Sequence, residues 1–144
     1  MSLRHRWANG ETTLGLWMAS ESPAVAEAVG RLGFDYVNID LQHGLADSAV
    51  VVDMLRAFDG VRGTDTTPTI TCRVPWNEPG IIGRVLDAGA MGVIIPMVNT
   101  VEQAERAVAA CRYAPHGSRS YGPIRAAVAH GADYFETANE RVAC

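Results

Sequence analysis

Tyr36-Val37-Asn38-Ile39-Asp40-Leu41-Gln42-His43-Gly44 is the stretch on which the fold turns. Its first five residues make a short run of strand length, and a carboxylate, an amide, an imidazole and a glycine follow at once. A strand that delivers polar groups at its carboxyl end is how parallel α/β sheets present chemistry. Runs of the same kind stand at 14–18, 69–74 and 92–98, each bounded by turn residues. Their starts lie 22, 33 and 23 residues apart, the size of successive βα units.

Helical periods fill the gaps. Val25, Ala28, Val29 and Leu32 recur at i, i+3, i+4, i+7, with Ser22-Pro23 as the opening signal and Gly33 as the close. A second helix is predicted over 48–58 with Gly60 as its stop, and a third over 79–87 with Ile82, Val85 and Leu86 inward and Gly89 after it. Thr100 with Gln103 three residues on is a capping box, and Val101, Ala104, Val108 and Cys111 form the stripe expected to be buried. Residues 114–131 read as a long loop, because Pro115, Gly117, Gly122 and Pro123 interrupt any period. A short helix near 133–139 then leads to Val142, Ala143 and Cys144, where a fifth strand starts.

Four βα units and an incipient fifth strand are a little over half of a (β/α)8 barrel, which needs about 250 residues. An open doubly wound sheet fits 144 residues better in length. Its usual phosphate-binding glycine loop is missing, since Ala19-Ser20-Glu21-Ser22-Pro23 follows the first strand. One domain over 1–144 is expected, with 1–12 as an N-terminal arm.

The 48% hydrophobic and 19% charged composition supports a packed core and argues against disorder. No apolar run approaches the roughly 20 residues of a membrane span, so no membrane and a cytoplasmic location are expected. A net charge of −4 without any Lys/Arg cluster argues against nucleic acid as a partner. Cys72, Cys111 and Cys144 are odd in number and widely spaced, so they read as reduced thiols.

The groups expected at the sheet mouth are Trp17 after the first run, Asp40, Gln42 and His43 after the second, Arg73 after the third, and Pro96 and Met97 after the fourth. Imidazole exchanges protons near neutral pH and suits a general base, while a guanidinium fork matches a carboxylate or an enolate oxygen. Each position has a plainer reading: His43 as a solvated residue, Asp40 as a turn cap, Arg73 as half of an ion pair, Asp87 as a helix-surface carboxylate. His116 and His130 are read as surface residues.

The run Gly33-Phe34-Asp35-Tyr36 through Asp40-Leu41-Gln42-His43-Gly44 resembles the F-D-W-x-x-I-D-x-E-H segment of the HpcH/HpaI aldolases, a family of metal-dependent pyruvate aldolases. Arg73-Val74-Pro75-Trp76-Asn77-Glu78-Pro79 is similar to its R-x-P-x-N-x-P, Leu86-Asp87-Ala88-Gly89 to its L-D-x-G, and Pro96-Met97-Val98 to its P-M-V. Arg112-Tyr113-Ala114-Pro115-His116-Gly117-Ser118-Arg119-Ser120-Tyr121-Gly122-Pro123 resembles its R-Y-x-P-x-G-x-R-x-x-G-P loop. Five such elements in order are specific.

The resemblance implies a TIM (β/α)8 barrel, here its N-terminal portion, that cleaves 4-hydroxy-2-oxo acids to pyruvate and an aldehyde. It implies His43 as the proton-transferring base, Asp87 as the residue that orients it or raises its basicity, Arg73 as the stabiliser of the oxyanion, and Asp40 and Gln42 as supporting partners. Trp17, Pro96 and Met97 would line the substrate mouth. Gln42 departs from the family's Glu. The family's Mg²⁺, Mn²⁺ or Co²⁺ would be held by a Glu and an Asp that this chain does not reach, so no metal ligand is assigned within it. A small 2-oxo acid is the implied partner, a homo-oligomer the implied assembly, and this chain by itself is expected to be inactive and poorly stable. The alternative is a non-catalytic α/β binding or assembly domain derived from such a barrel.

Overall fold

A computed structural model describes residues 1–63 and 67–144. The chain runs α1 (Leu3–Ala8), β1 (Gly15–Met18), α2 (Pro23–Val29), β2 (Tyr36–Asp40), α3 (Ser48–Asp59), β3 (Thr69–Arg73), α4 (Pro79–Asp87), β4 (Gly92–Ile94), α5 (Val101–Cys111), α6 (Ile124–His130) and α7 (Tyr134–Arg141). The four strands form one parallel sheet in the order β1-β2-β3-β4. Each helix between strands must therefore return from a carboxyl end to an amino end. After α7, Ala143 bridges to Gly92 in parallel, with its N–H on Met91 O at 3.0 Å, so a fifth strand position begins where the sequence places it.

Local chemistry sets the helix starts. Ser22 Oγ accepts from Val25 N before Pro23 at the first turn, and Asp47 and Glu78 cap α3 and α4 through two backbone N–H groups each. Thr100 and Gln103 exchange the reciprocal bonds of the capping box.

The sheet has two unlike faces. Side chains of paired residues in a parallel register point the same way, so Leu16, Met18, Val37, Ile39, Ile70, Cys72 and Val93 share one face. That face packs under the helices, with Val37, Ile39 and Cys72 fully buried among Met54, Phe58, Ile82 and Leu86. The other face carries Trp17, Tyr36, Asn38, Asp40, Thr69, Thr71, Arg73 and Ile94. Ile39 and Ile70 thus lie under the helices, whereas Ile94 belongs to this other, inward face.

The N-terminal segment contributes α1, which closes the amino end of the sheet. Leu3 is buried, Trp7 meets the Tyr36 ring edge-on at 6.1 Å, and Arg6 pairs with Asp35 at 2.7 Å. The Tyr36 ring lies over Gly15, where a Cβ would fall 2.0 Å from Cζ, so only glycine fits.

Three details differ from the sequence reading. In α5 the buried stripe is Ala107, Ala110 and Cys111, while Val101, Ala104 and Val108 face outward; in α2, Ala26 is buried and Val25 and Leu32 are exposed. The outward Val101, Val108, Val25 and Leu32 are larger than the buried alanines, and a stripe drawn by hydrophobicity selects them over the alanines that let helix and sheet approach closely. Residues 114–131 are not wholly loop, since α6 lies within them; it lacks a side-chain cap and follows Pro123, so it carries no starting signal. No helix among the described residues is long and apolar enough to cross a membrane, and the three cysteines form no disulfide.

Candidate active site at the carboxyl end of the sheet

Asp40 and Arg73 are the last residues of β2 and β3 and are register partners, so the backbone itself sets them side by side on the inward face. Arg73 grips the carboxylate with two bonds, Nε to Oδ1 at 2.9 Å and Nη2 to Oδ2 at 2.5 Å. Trp17 Nε1 donates to the same Oδ2 at 3.1 Å, and its ring lies 4.8 Å beneath the guanidinium carbon. The backbone N–H groups of Gln42 and His43 close on Oδ1 at 3.0 and 3.2 Å. The Arg73 guanidinium, aided by these other donors, holds the Asp40 carboxyl far below the usual carboxylate range, and Asp40 in turn raises Arg73.

This carboxylate is therefore the organiser of the mouth. It fixes the guanidinium on one side and the turn that carries Gln42 and His43 on the other, acting at once as turn cap and ion-pair partner. Gly44 ends that turn against the backbone: a Cβ there would fall 2.1 Å from Asp40 O, and Leu45 N then bonds Ala19 O at 3.2 Å. His43 is exposed, and its ring makes no hydrogen bond among the described residues. Across the mouth stand half-buried Pro96 and exposed Met97, the latter at φ 58, a left-handed conformation uncommon for a side chain of its size. Such strain is typical of sites where a ligand is met.

Below Asp40 and Arg73 the inward face continues with Asn38 and Thr71, whose Oγ1 donates to Asn38 Oδ1 at 3.0 Å. Asn38 is fully buried and its Nδ2 has no partner, an available donor beneath the ion pair. The signal for it was the alternation in Tyr36-Val37-Asn38-Ile39-Asp40 and Thr69-Ile70-Thr71-Cys72-Arg73, which places a polar residue inward at every second position.

Asp87 is placed elsewhere. It closes α4, and that helix returns to the amino ends of the strands, so the chain sets its last residue at the opposite end of the sheet from His43. There it accepts from Arg119 Nη2 at 2.8 Å. Arg119 comes from the turn after α5, is fully buried, bonds Tyr134 Oη at 3.2 Å and lies over the Tyr113 ring at 4.4 Å. His130, read as a surface residue, is partly buried: Nε2 sits 2.7 Å from Gly89 O and the ring stacks on Tyr134. Burial depresses its basicity.

The described residues do not assemble a divalent-metal site. No three His, Cys, Asp or Glu side chains gather among them, and both Asp40 oxygens already carry donors.

The comparisons with known proteins converge on one family. The family model for HpcH/HpaI aldolase/citrate lyase matches residues 13–143. The chain is 39% identical over 140 residues to a hydroxypyruvate/pyruvate aldolase of Rhizorhabdus wittichii, covering 97% of this chain and 54% of that protein. It is 37% identical over 134 residues to a 5-keto-4-deoxy-D-glucarate aldolase of Escherichia coli, covering 92% and 50%. A crystal structure of a family protein from Burkholderia cenocepacia superposes with a TM-score of 0.84 at 34% identity, over 97% of this chain and 56% of that one. The chain spans about half the length of the curated relatives it matches. With the parallel sheet and its Asp40–Arg73 mouth, these likenesses show that the chain belongs to the HpcH/HpaI aldolase/citrate lyase family.

Proposed function

We propose that the Asp40–Arg73 mouth binds a small 2-oxo acid and serves a carbon–carbon lyase that cleaves 4-hydroxy-2-oxo acids to pyruvate and an aldehyde. The observation that carries this reading is a guanidinium fixed by a buried carboxylate yet itself reaching solvent, beside a turn that presents an unengaged imidazole. In retro-aldol cleavage a base removes the 4-hydroxyl proton, the C3–C4 bond breaks, and its electron pair moves onto the 2-oxo oxygen to give an enolate. His43 is the proposed base. Arg73 is the proposed donor to the oxygen on which charge develops, and Asp40 and Trp17 fix its direction so that little reorganisation is needed. Gln42 contributes an amide to this turn where the relatives' motif carries a carboxylate, so the base has one less negative neighbour. Within this chain Asp87 pairs with Arg119 rather than with His43, so the role proposed for it toward the base rests on the motif alone.

Because the described residues gather no metal-ligand set, the proposal for this chain by itself is binding without turnover. Pyruvate binding, followed by calorimetry and by tryptophan fluorescence, to which Trp17 contributes, should be saturable and should disappear in Arg73→Gln. In a longer form of the protein that turns over, His43→Ala and Arg73→Ala should each lower kcat/KM at least a hundredfold. Pyruvate binding untouched by Arg73→Gln, or turnover untouched by both alanine variants, would reject the reading and favour a non-catalytic binding domain.

A further inference from the structure

At the amino end of the sheet, away from Arg73, α1, the ends of α6 and α7, the start of β3 and Met91 before β4 partly enclose a cavity of about 1000 Å³. Its lining includes Arg4 and His5 of α1, Arg62 after α3, His130 of α6, and Glu140 and Arg141 of α7. Among the described residues, three guanidiniums and one carboxylate line it, in contrast with a chain whose net charge is −4.

The partners of these cations leave their charge unneutralised. Arg4 Nη1 donates to the carbonyl oxygens of Asn139 and Glu140 at 2.6 and 3.4 Å, and Arg141 Nη1 to Thr137 Oγ1 at 3.2 Å. Among the described residues neither pairs with a carboxylate. Arg62 does pair with Asp59, but Arg125 claims the other oxygen of that carboxylate at 2.6 Å, so two guanidiniums share one negative charge. Arg62 Nη1 also reaches His130 Nδ1 at 3.1 Å. Since a guanidinium can only donate, Nδ1 is the acceptor, and Nε2–H then donates to Gly89 O. That is a neutral imidazole held in one tautomer, consistent with its lowered basicity.

A partly enclosed space walled by surplus guanidiniums concentrates anions, and the planar fork of arginine matches the oxygens of a phosphate. We infer that this cavity is a second binding site, which takes a small, multiply charged phosphate compound independently of the Arg73 mouth. Arg4 and Arg141 supply the forks, His5 a further donor, and Glu140 opposes the ligand.

The test is calorimetric titration of this chain with pyrophosphate and with inorganic phosphate in low-salt buffer. One saturable site is expected, weakening as salt rises, with pyrophosphate bound more tightly than inorganic phosphate. The double variant Arg4→Gln/Arg141→Gln should lose at least tenfold in affinity. Glu140→Gln should gain severalfold, a change that misfolding cannot produce. Arg73→Gln, at the far end, should bind as the parent does. Absence of saturable binding overturns the inference, and so does loss of binding in Arg73→Gln with retention in the double variant, since the anion would then occupy the mouth.

Discussion

Two Asp–Arg pairs in this molecule are built in opposite senses. In Asp40–Arg73 the carboxylate is buried, 4% exposed, and the guanidinium is 22% exposed. In Asp87–Arg119 the guanidinium is wholly buried and the carboxylate is 30% exposed. The member left at the surface is the one free to meet a ligand, so the first pair exposes a positive group, the one proposed above to meet a 2-oxo acid, and the second a negative group. The buried members differ as well. Asp40 has three N–H donors besides Arg73, from Trp17, Gln42 and His43. Arg119 faces the rings of Tyr113 and Tyr134, and its Nε has no partner.

This contrast predicts which deletion harms folding most. Asp87→Ala strands a buried guanidinium with only the Tyr134 hydroxyl as acceptor, and the expected loss is about 3–5 kcal/mol, the range for breaking a buried pair from one side. Arg73→Met strands Asp40, but three donors still hold that carboxylate, so about 2 kcal/mol is expected. Urea denaturation of the two variants checks the order. A costlier Arg73→Met would break the comparison.

Acid sharpens it. The folded-state pKa of Asp40 is depressed, chiefly by Arg73, below an unfolded value of about 3.9. Its contribution to stability is therefore complete above about pH 5 and is lost as pH falls through 4 toward the depressed folded value. Arg73→Met removes the main cause of that depression. Thermal melts at pH 7, 5 and 3 should show the parent losing more stability between pH 5 and 3 than this variant does. Parallel losses would mean that the backbone donors, rather than the guanidinium, hold the carboxylate.

The two pairs were not equally legible in the sequence. Asp40 and Arg73 end two strands whose starts follow from βα spacing, and a strand end maps directly onto the mouth. Asp87 ends a helix, and which edge of the sheet a helix end reaches depends on the return direction of the whole unit, so a motif match alone put it beside His43. Arg119 was hidden for another reason. Its turn is held by Ser118 N on Ala109 O and Arg119 N on Arg112 O, and such backbone closures leave no periodic trace. The polar inward face was visible in the alternation of β2 and β3, yet a parallel strand suggests an apolar run, and that expectation masked Asn38 and Thr71. Helix α6 and the Ala107/Ala110 stripe of α5 escaped because alanines and an uncapped start carry weak signals.

The smallest expected effect separates the guanidinium from the indole beside it. Trp17 is about half exposed, so trimming it opens no cavity; Trp17→Phe removes one hydrogen bond to Asp40 and exchanges the ring beneath Arg73 for a weaker cation–π partner. About 1 kcal/mol of stability should be lost, the usual worth of one such bond. Arg73 keeps both of its bonds to Asp40, so its direction is preserved and pyruvate affinity should fall only a few-fold, against complete loss in Arg73→Gln. Calorimetry must read this variant, because the substitution removes the tryptophan that contacts Asp40 and leaves only the emission of Trp7 and Trp76. If Trp17→Phe abolished pyruvate binding as fully as Arg73→Gln, the indole would be a direct contact of the ligand, and the surface member of the Asp40–Arg73 pair would no longer suffice to explain the site.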